Sequence, residues 1–135
     1  AKSFYRYLKE NAVLHILQVD ASPRVELSIS RQLTHTFIDA WKLADPSICV
    51  TYRDLGHQPV PFIDEAWIAA AFAPPAERTS LQEAAIATSD ILIDELLSTD
   101  FWLFGIPMYN YRVSANFKAY IDQIVRVRRT FFVID

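Results

Sequence analysis

Glycine is scarce in this chain: Gly56 and Gly105 are the only two in 135 residues. That scarcity excludes the glycine-rich dinucleotide and P-loop fingerprints, which need several glycines close together to bring backbone amides up to phosphates. Cysteine occurs once, so no internal disulfide can form and a reducing cytoplasm is the expected setting. Cys49 lies in the apolar run Ile48-Cys49-Val50 and is expected to be a small buried hydrophobe with no reactive role. No segment approaches the ~20 apolar residues that a membrane span needs. Positive charge is not in excess either: a net charge of −3 argues against a nucleic-acid partner. The three histidines, His15, His35 and His57, lack metal-ligand spacing, and no serine follows a nucleophile-elbow pattern. Ala1 to Asn11 carries Lys2, Arg6, Lys9 and Glu10 without a cleavage-like site, so a signal peptide is not indicated.

What the chain does have is apolar and aromatic side chains. A hydrophobic content of 52% with nine Phe, six Tyr and three Trp describes one globular domain with a real core. Residues 1–12 read as an N-terminal extension, in which Phe4, Tyr5 and Leu8 suit a short amphipathic helix, and residues 13–135 as the domain. Val13 to Asp20 is apolar with little alternation, as expected of a strand covered on both faces. Ser28 or Ser30 then caps a helix with Leu33, Phe37, Ile38 and Trp41 near helical spacing, stopped by Asp45-Pro46. Ile48 to Asp54 reads as a second strand, followed by a loop stiffened by Pro59 and Pro61. A short helix over Asp64 to Phe72 ends at Ala73-Pro74-Pro75, and Ser80 with Glu83 has capping-box spacing for a long helix to about Leu97. Phe101 to Ile106 is the third strand. Ser114 caps a last helix through about Val127, with Phe117, Tyr120, Ile121 and Ile124 on one face, and Thr130 to Ile134 is β-prone. Asp90, Asp94 and Glu95 are expected on a solvated helix face, and Arg126, Arg128 and Arg129 as exposed charge.

Strands alternating with helices in this way make a parallel sheet joined by crossover helices. In such sheets ligands gather beyond the carboxyl ends of the strands, where the winding reverses. Two loops leave carboxyl ends and carry suitable chemistry. Asp20-Ala-Ser-Pro-Arg-Val-Glu-Leu-Ser-Ile-Ser30 opens a helix whose first-turn amides and positive dipole end attract a phosphate. Ser22, Ser28 and Ser30 add hydroxyls there, and Arg24 and Arg31 can offset a dianion's charge. The plainer alternative is a serine that merely caps the helix. After the third strand, Pro107-Met108-Tyr109-Asn110-Tyr111 offers a polarizable thioether, aromatic faces and exposed amides to a planar ring. Its plainer alternative is a proline-initiated turn whose Met and Tyr finish the core. Taken together, the two loops describe a site for a nucleotide-like cofactor.

From Val13 to Phe131 the chain resembles the FMN-dependent NADH-azoreductase family of flavodoxin-like quinone reductases. The resemblance rests on Asp20-Ala-Ser-Pro-Arg24 leading into Ser28-Ile-Ser-Arg-Gln-Leu33, on Asp54-Leu55 before the Pro59/Pro61 loop, and on Pro107-Met-Tyr-Asn-Tyr111 followed by Lys118 and Asp122. It implies an α/β fold of the flavodoxin type, a parallel sheet with helices on both faces, here with strands 1–3 and strand 3 at an edge. It implies FMN as cofactor, with Ser22, Ser28, Ile29 and Ser30 at the phosphate and Pro107, Met108, Tyr109, Asn110 and Tyr111 lining the isoalloxazine. NAD(P)H would be the co-substrate and a quinone or azo compound the acceptor, in a cytoplasmic homodimer. No catalytic side chain is implied, because the flavin carries the chemistry.

Two features depart from the family pattern. Val25 stands where a glycine is common, and the last strand-helix-strand-helix portion is missing. The bare, apolar third strand invites association, so the alternative is a non-catalytic flavodoxin-like protein acting as a dimerising or interaction module.

Overall fold

The computed structural model describes residues 13–132. The helix suggested by Phe4, Tyr5 and Leu8 lies outside the described residues, as does Val133 to Asp135. Three parallel strands, β1 (His15–Asp20), β2 (Cys49–Asp54) and β3 (Phe101–Gly105), form a sheet in the order β2-β1-β3. That is the expected beginning of a flavodoxin-like sheet. Four helices accompany it: α1 (Ile29–Ala44), α2 (Glu65–Phe72), α3 (Ser80–Leu97) and α4 (Ala115–Ile124). Two short strands, β4 (Met108–Tyr109) and β5 (Arg112–Val113), make a separate hairpin.

Side chains of β1 alternate between two cores. Ile16 packs with Ile38 and Ile48 under α1, with Trp41 and Leu103 beside them. Leu17 and Val19 face the larger core formed by Leu92, Ile93 and Leu96 of α3 and Phe117, Tyr120 and Ile124 of α4. Helices therefore cover both faces, and β1 reads as a continuous apolar run for that reason. A third cluster, Trp67, Ala70, Ala71 and Ile86, joins α2 to α3.

Local chemistry sets the helix ends. Ser28 caps α1, accepting from the Arg31 amide, and Asp64 caps α2, accepting from the Trp67 amide. The capping box of α3 is Thr79 with Gln82, one residue earlier than Ser80 with Glu83. Only Ile38 of the expected apolar stripe on α1 is fully buried; Leu33 and Phe37 are exposed, while Arg31 and Thr34 turn inward. The last helix ends at Ile124, and Thr130 to Phe132 make no strand beyond an isolated bridge from Phe131 to Val127.

Two expectations about polar and thiol groups are corrected. Cys49 is exposed at the start of β2, an edge strand of the described sheet. Arg126 is only 2% exposed, since Nη1 donates to Ser89 Oγ at 2.9 Å and Nη2 pairs with Asp90. Asp90 and Asp94 also pair with Arg129, and Glu95 pairs with Arg53; Asp94 stays 68% exposed, as expected of a solvated face.

Candidate functional site

The register of the sheet decides whether the two loops share a site. Asp20 and Gly105, the last residues of β1 and β3, stand opposite each other, and the Ala21 amide donates to the Gly105 carbonyl at 2.9 Å. The loops that begin at Ala21 and Ile106 therefore leave the sheet side by side on one rim. Gly105 is required at this close approach, because a Cβ there would come within 2.1 Å of Asp20 Oδ1. That carboxylate is fully buried and accepts from Thr34 Oγ1 at 2.8 Å and Gln18 Nε2 at 3.2 Å.

In the first loop, Ser22 and Ser28 are 2% and 3% exposed. Ser22 Oγ accepts from the Arg24 amide at 3.2 Å, and Ser28 Oγ lies 3.2 Å from Ser30 Oγ. Ser28 thus fulfils the plainer role of helix cap, while Ile29 and Ser30 supply first-turn amides that have no carbonyl partner within the helix. No acidic residue occupies that turn, so the positive end of the helix dipole is unopposed there. Val25 does not strain the loop: among the described residues the non-glycine positions with positive φ are Asn110, Tyr111 and Arg128. The conformation at 25 is open to a β-branched residue.

Arg31 does not serve as a free counter-charge. Its guanidinium makes a paired contact with Asp54, Nη2 to Oδ1 at 2.5 Å and Nη1 to Oδ2 at 3.0 Å. Burial alone would raise the Asp54 pKa, but hydrogen bonds from Arg31 and His57 outweigh it and hold the carboxyl down at about 2. The same hydrogen bond to Asp54 raises the Arg31 pKa, against the lowering effect of burial.

The second loop is a tight hairpin. Met108 pairs with Val113 and Tyr109 with Arg112, and Asn110 and Tyr111 form the two-residue turn with φ of 49° and 61°. Positive φ at both turn residues is the type I′ geometry, for which Asn-Gly is the favoured sequence. Met108 and Tyr111 are 71% and 91% exposed, so they do not finish the core. The hairpin presents a thioether and a phenol ring to the outside, on the rim from which the serine loop also departs.

Sequence reasoning missed Asn116. Its Nδ2 donates to the Ala21 carbonyl at 2.8 Å and to the Leu55 carbonyl at 3.0 Å, tying the exits of β1 and β2 to the start of α4. An amide in the first turn of the helix after the Pro-Met-Tyr-Asn segment is a signal that could have found it. Ser114, the N-cap of α4, has a buried Oγ without a partner among the described residues. Lys118 and Asp122 pair with each other on α4 at 2.5 Å and do not reach the rim loops. A cleft of about 580 Å³ also opens beside α1 and β2, lined by Val25, Arg31, His35, Tyr52, Asp54 and His57 among others. It touches none of the rim serines or hairpin residues. Among the described residues no cluster of histidine, cysteine and carboxylates could hold a metal.

Comparison with known proteins gives three kinds of match. The model of the flavodoxin-like fold family matches residues 14–133. The chain is 60% identical over 120 residues to FMN-dependent NADH:quinone oxidoreductase 1 of Trichormus variabilis, covering 89% of this chain and 58% of that protein. It is 53% identical over 118 residues to the FMN-dependent NADH:quinone oxidoreductase of Nostoc punctiforme, covering 87% and 58%. The crystal structure of an azoreductase from Bacillus anthracis superposes with a TM-score of 0.82 at 27% identity, over 90% of this chain and 60% of that one. The chain thus spans less than two thirds of the length of these relatives.

Proposed function

Because the chain belongs to the flavodoxin-like fold family, we propose that it forms the flavin-holding part of an FMN-dependent NAD(P)H oxidoreductase that reduces quinones or azo compounds. The observation that carries this reading is the opposition of Asp20 and Gly105, from which the loop to the hydroxyl-bearing helix start and the loop to the Met-Tyr hairpin leave the sheet on one rim. The names of the relatives support the cofactor, the nicotinamide donor and the two classes of acceptor.

The residues present suit FMN. A dianionic phosphate would be held by the amides of Ile29 and Ser30 and by the hydroxyls of Ser22, Ser28 and Ser30, in a turn without carboxylates. Pro107, Met108, Tyr109, Asn110 and Tyr111 would line the isoalloxazine, with the thioether and phenol rings against its face and backbone amides toward its electron-rich edge. When bound, FMN supplies the two-electron redox chemistry, taking a hydride from the nicotinamide and delivering it to the acceptor. The protein's own part is to position that ring, and no side-chain acid or base is assigned.

The exposure of Met108 and Tyr111 supports a homodimer in which a partner subunit closes the site. No helix among the described residues is long and apolar enough to cross a membrane, and the cytoplasm is the proposed location. The test is a titration of the chain with FMN, followed by addition of NADH and a quinone or azo dye. Flavin retention with NADH-dependent reduction is expected. The competing reading, a non-catalytic association module, draws on the exposed Phe101 and Trp102 of edge strand β3. It would win if the protein formed stable oligomers with neither flavin nor turnover.

A further inference from the structure

Two segments more than twenty residues apart in the chain converge on one guanidinium. Arg31 is the third residue of α1, and its side chain is 7% exposed. Its amide donates to Ser28 Oγ at 3.3 Å, while Nη2 and Nε donate to the Ser22 carbonyl at 2.6 and 3.1 Å. One residue thereby fixes both buried serines of the β1 exit. The guanidinium is in turn gripped by the two oxygens of Asp54, and Nη1 also donates to the Tyr52 hydroxyl at 2.7 Å. Asp54 is itself anchored: Oδ1 accepts the amides of Gly56 and His57 at 3.0 and 3.2 Å, and His57 Nδ1 lies 2.8 Å from Oδ2. There is no slack around this knot, since a Cβ on Gly56 would meet the Ser22 carbonyl oxygen at 2.0 Å and Arg31 Nη2 at 2.6 Å.

The Arg31 charge is matched by Asp54, and its nitrogens are spent on Ser22, Asp54 and Tyr52. Any influence it has on a ligand at the serine loop is exerted by holding that loop, not by touching the ligand. Resting on the flavin reading above, we infer that Arg31 and Asp54 form a positioning clamp that sets the preference for a phosphorylated flavin over the same flavin without phosphate. The planar fork matters here, because a guanidinium meets both carboxylate oxygens with two parallel N–H groups and keeps further donors for Ser22 and Tyr52, which a point-charge ammonium does not match. Arg31 is a positioning residue.

Simple electrostatics and the clamp predict opposite signs for Asp54→Asn. Removing the carboxylate leaves the guanidinium unneutralised, which would draw a phosphate more strongly if charge governed affinity. The clamp predicts a looser Ser22 loop and weaker phosphate binding.

The experiment titrates wild type, Arg31→Lys and Asp54→Asn with FMN and, separately, with riboflavin, following quenching of flavin fluorescence. Both variants are expected to lose about tenfold in FMN affinity while riboflavin affinity changes less than about twofold. The ratio is taken within each variant, so a partly unfolded sample affects both flavins alike and leaves it unchanged. The clamp is overturned if Arg31→Lys keeps the wild-type ratio, if Asp54→Asn raises it, or if both flavins weaken equally. These outcomes presuppose a wild type that prefers FMN. A wild type that binds neither flavin, or both equally, sinks the phosphate-site reading and the clamp with it.

Discussion

The two loops at the sheet rim are built in opposite ways. The β1 exit is sunk into the protein, with Ser22 and Ser28 buried and their positions fixed by Arg31, Asp54 and Asn116 through carbonyl and hydroxyl contacts. The β3 exit stands out from it as a hairpin, held by two cross-strand pairs and bearing exposed Met108 and Tyr111. On the proposed reading, the contrast follows from the ligand. A compact dianion is recognised by a few amides at fixed distances, which demands a rigid frame. A flat ring is recognised by area, which a polarizable and adaptable surface supplies. Rigidity and adaptability thus leave the sheet from neighbouring strand ends.

The largest effect should come from breaking the rigid side. Gly56→Ala forces a Cβ into the Ser22 carbonyl and the Arg31 guanidinium, so a loss of about 3 kcal/mol is expected in urea unfolding. A variant as stable as wild type would mean that the frame yields easily.

Acid should loosen the same side next. The Asp54 carboxyl sits at about 2 against an ordinary 3.8, so its contribution is fully present above about pH 4 and is lost as pH falls toward 2. At ~1.4 kcal/mol per tenfold change, wild type should lose roughly 2 kcal/mol in that window that Asp54→Asn does not lose. Parallel stability curves for the two proteins between pH 4 and pH 2 would contradict this.

The smallest effect belongs to the hairpin and has the opposite sign. Tyr111 is held at φ 61° with its ring exposed, a conformation that glycine adopts without steric cost. Tyr111→Gly should therefore raise stability by about 0.5–1 kcal/mol, seen as a higher melting temperature, while lowering flavin affinity. If both quantities fall together, Tyr111 is packed in a way that its exposure does not suggest.

Much of this frame was legible in the residues. The unbroken apolar runs announced strands covered on both faces, and Ser28 or Ser30, of which the first is the cap, and Ser114 marked helix starts because short polar side chains favour the N-cap. The capping box was misplaced by one residue because Thr79-x-x-Gln82 and Ser80-x-x-Glu83 satisfy the same pattern, and only the backbone distinguishes them. Cys49 looked buried because local hydropathy does not reveal which strand lies at an edge. Arg31 looked like a ligand for phosphate because its partner, Asp54, follows one helix and one strand later. The same distance hid the Arg126–Asp90 pair and both acceptors of Asn116. The hairpin was obscured by its turn: Asn-Tyr takes the place of the usual Asn-Gly, and a proline before it suggested a simple bend.

The outer rim of β3 keeps its consequence for last. Among the described residues nothing pairs with that side of the strand, where Phe101 and Trp102 stand half uncovered. A fourth parallel strand laid against it would turn out of the sheet next to Met108, just as β3 turns out next to Ala21. Whatever fills that seam, from its own polypeptide or from elsewhere, would add a third wall to the proposed flavin site in the same stroke.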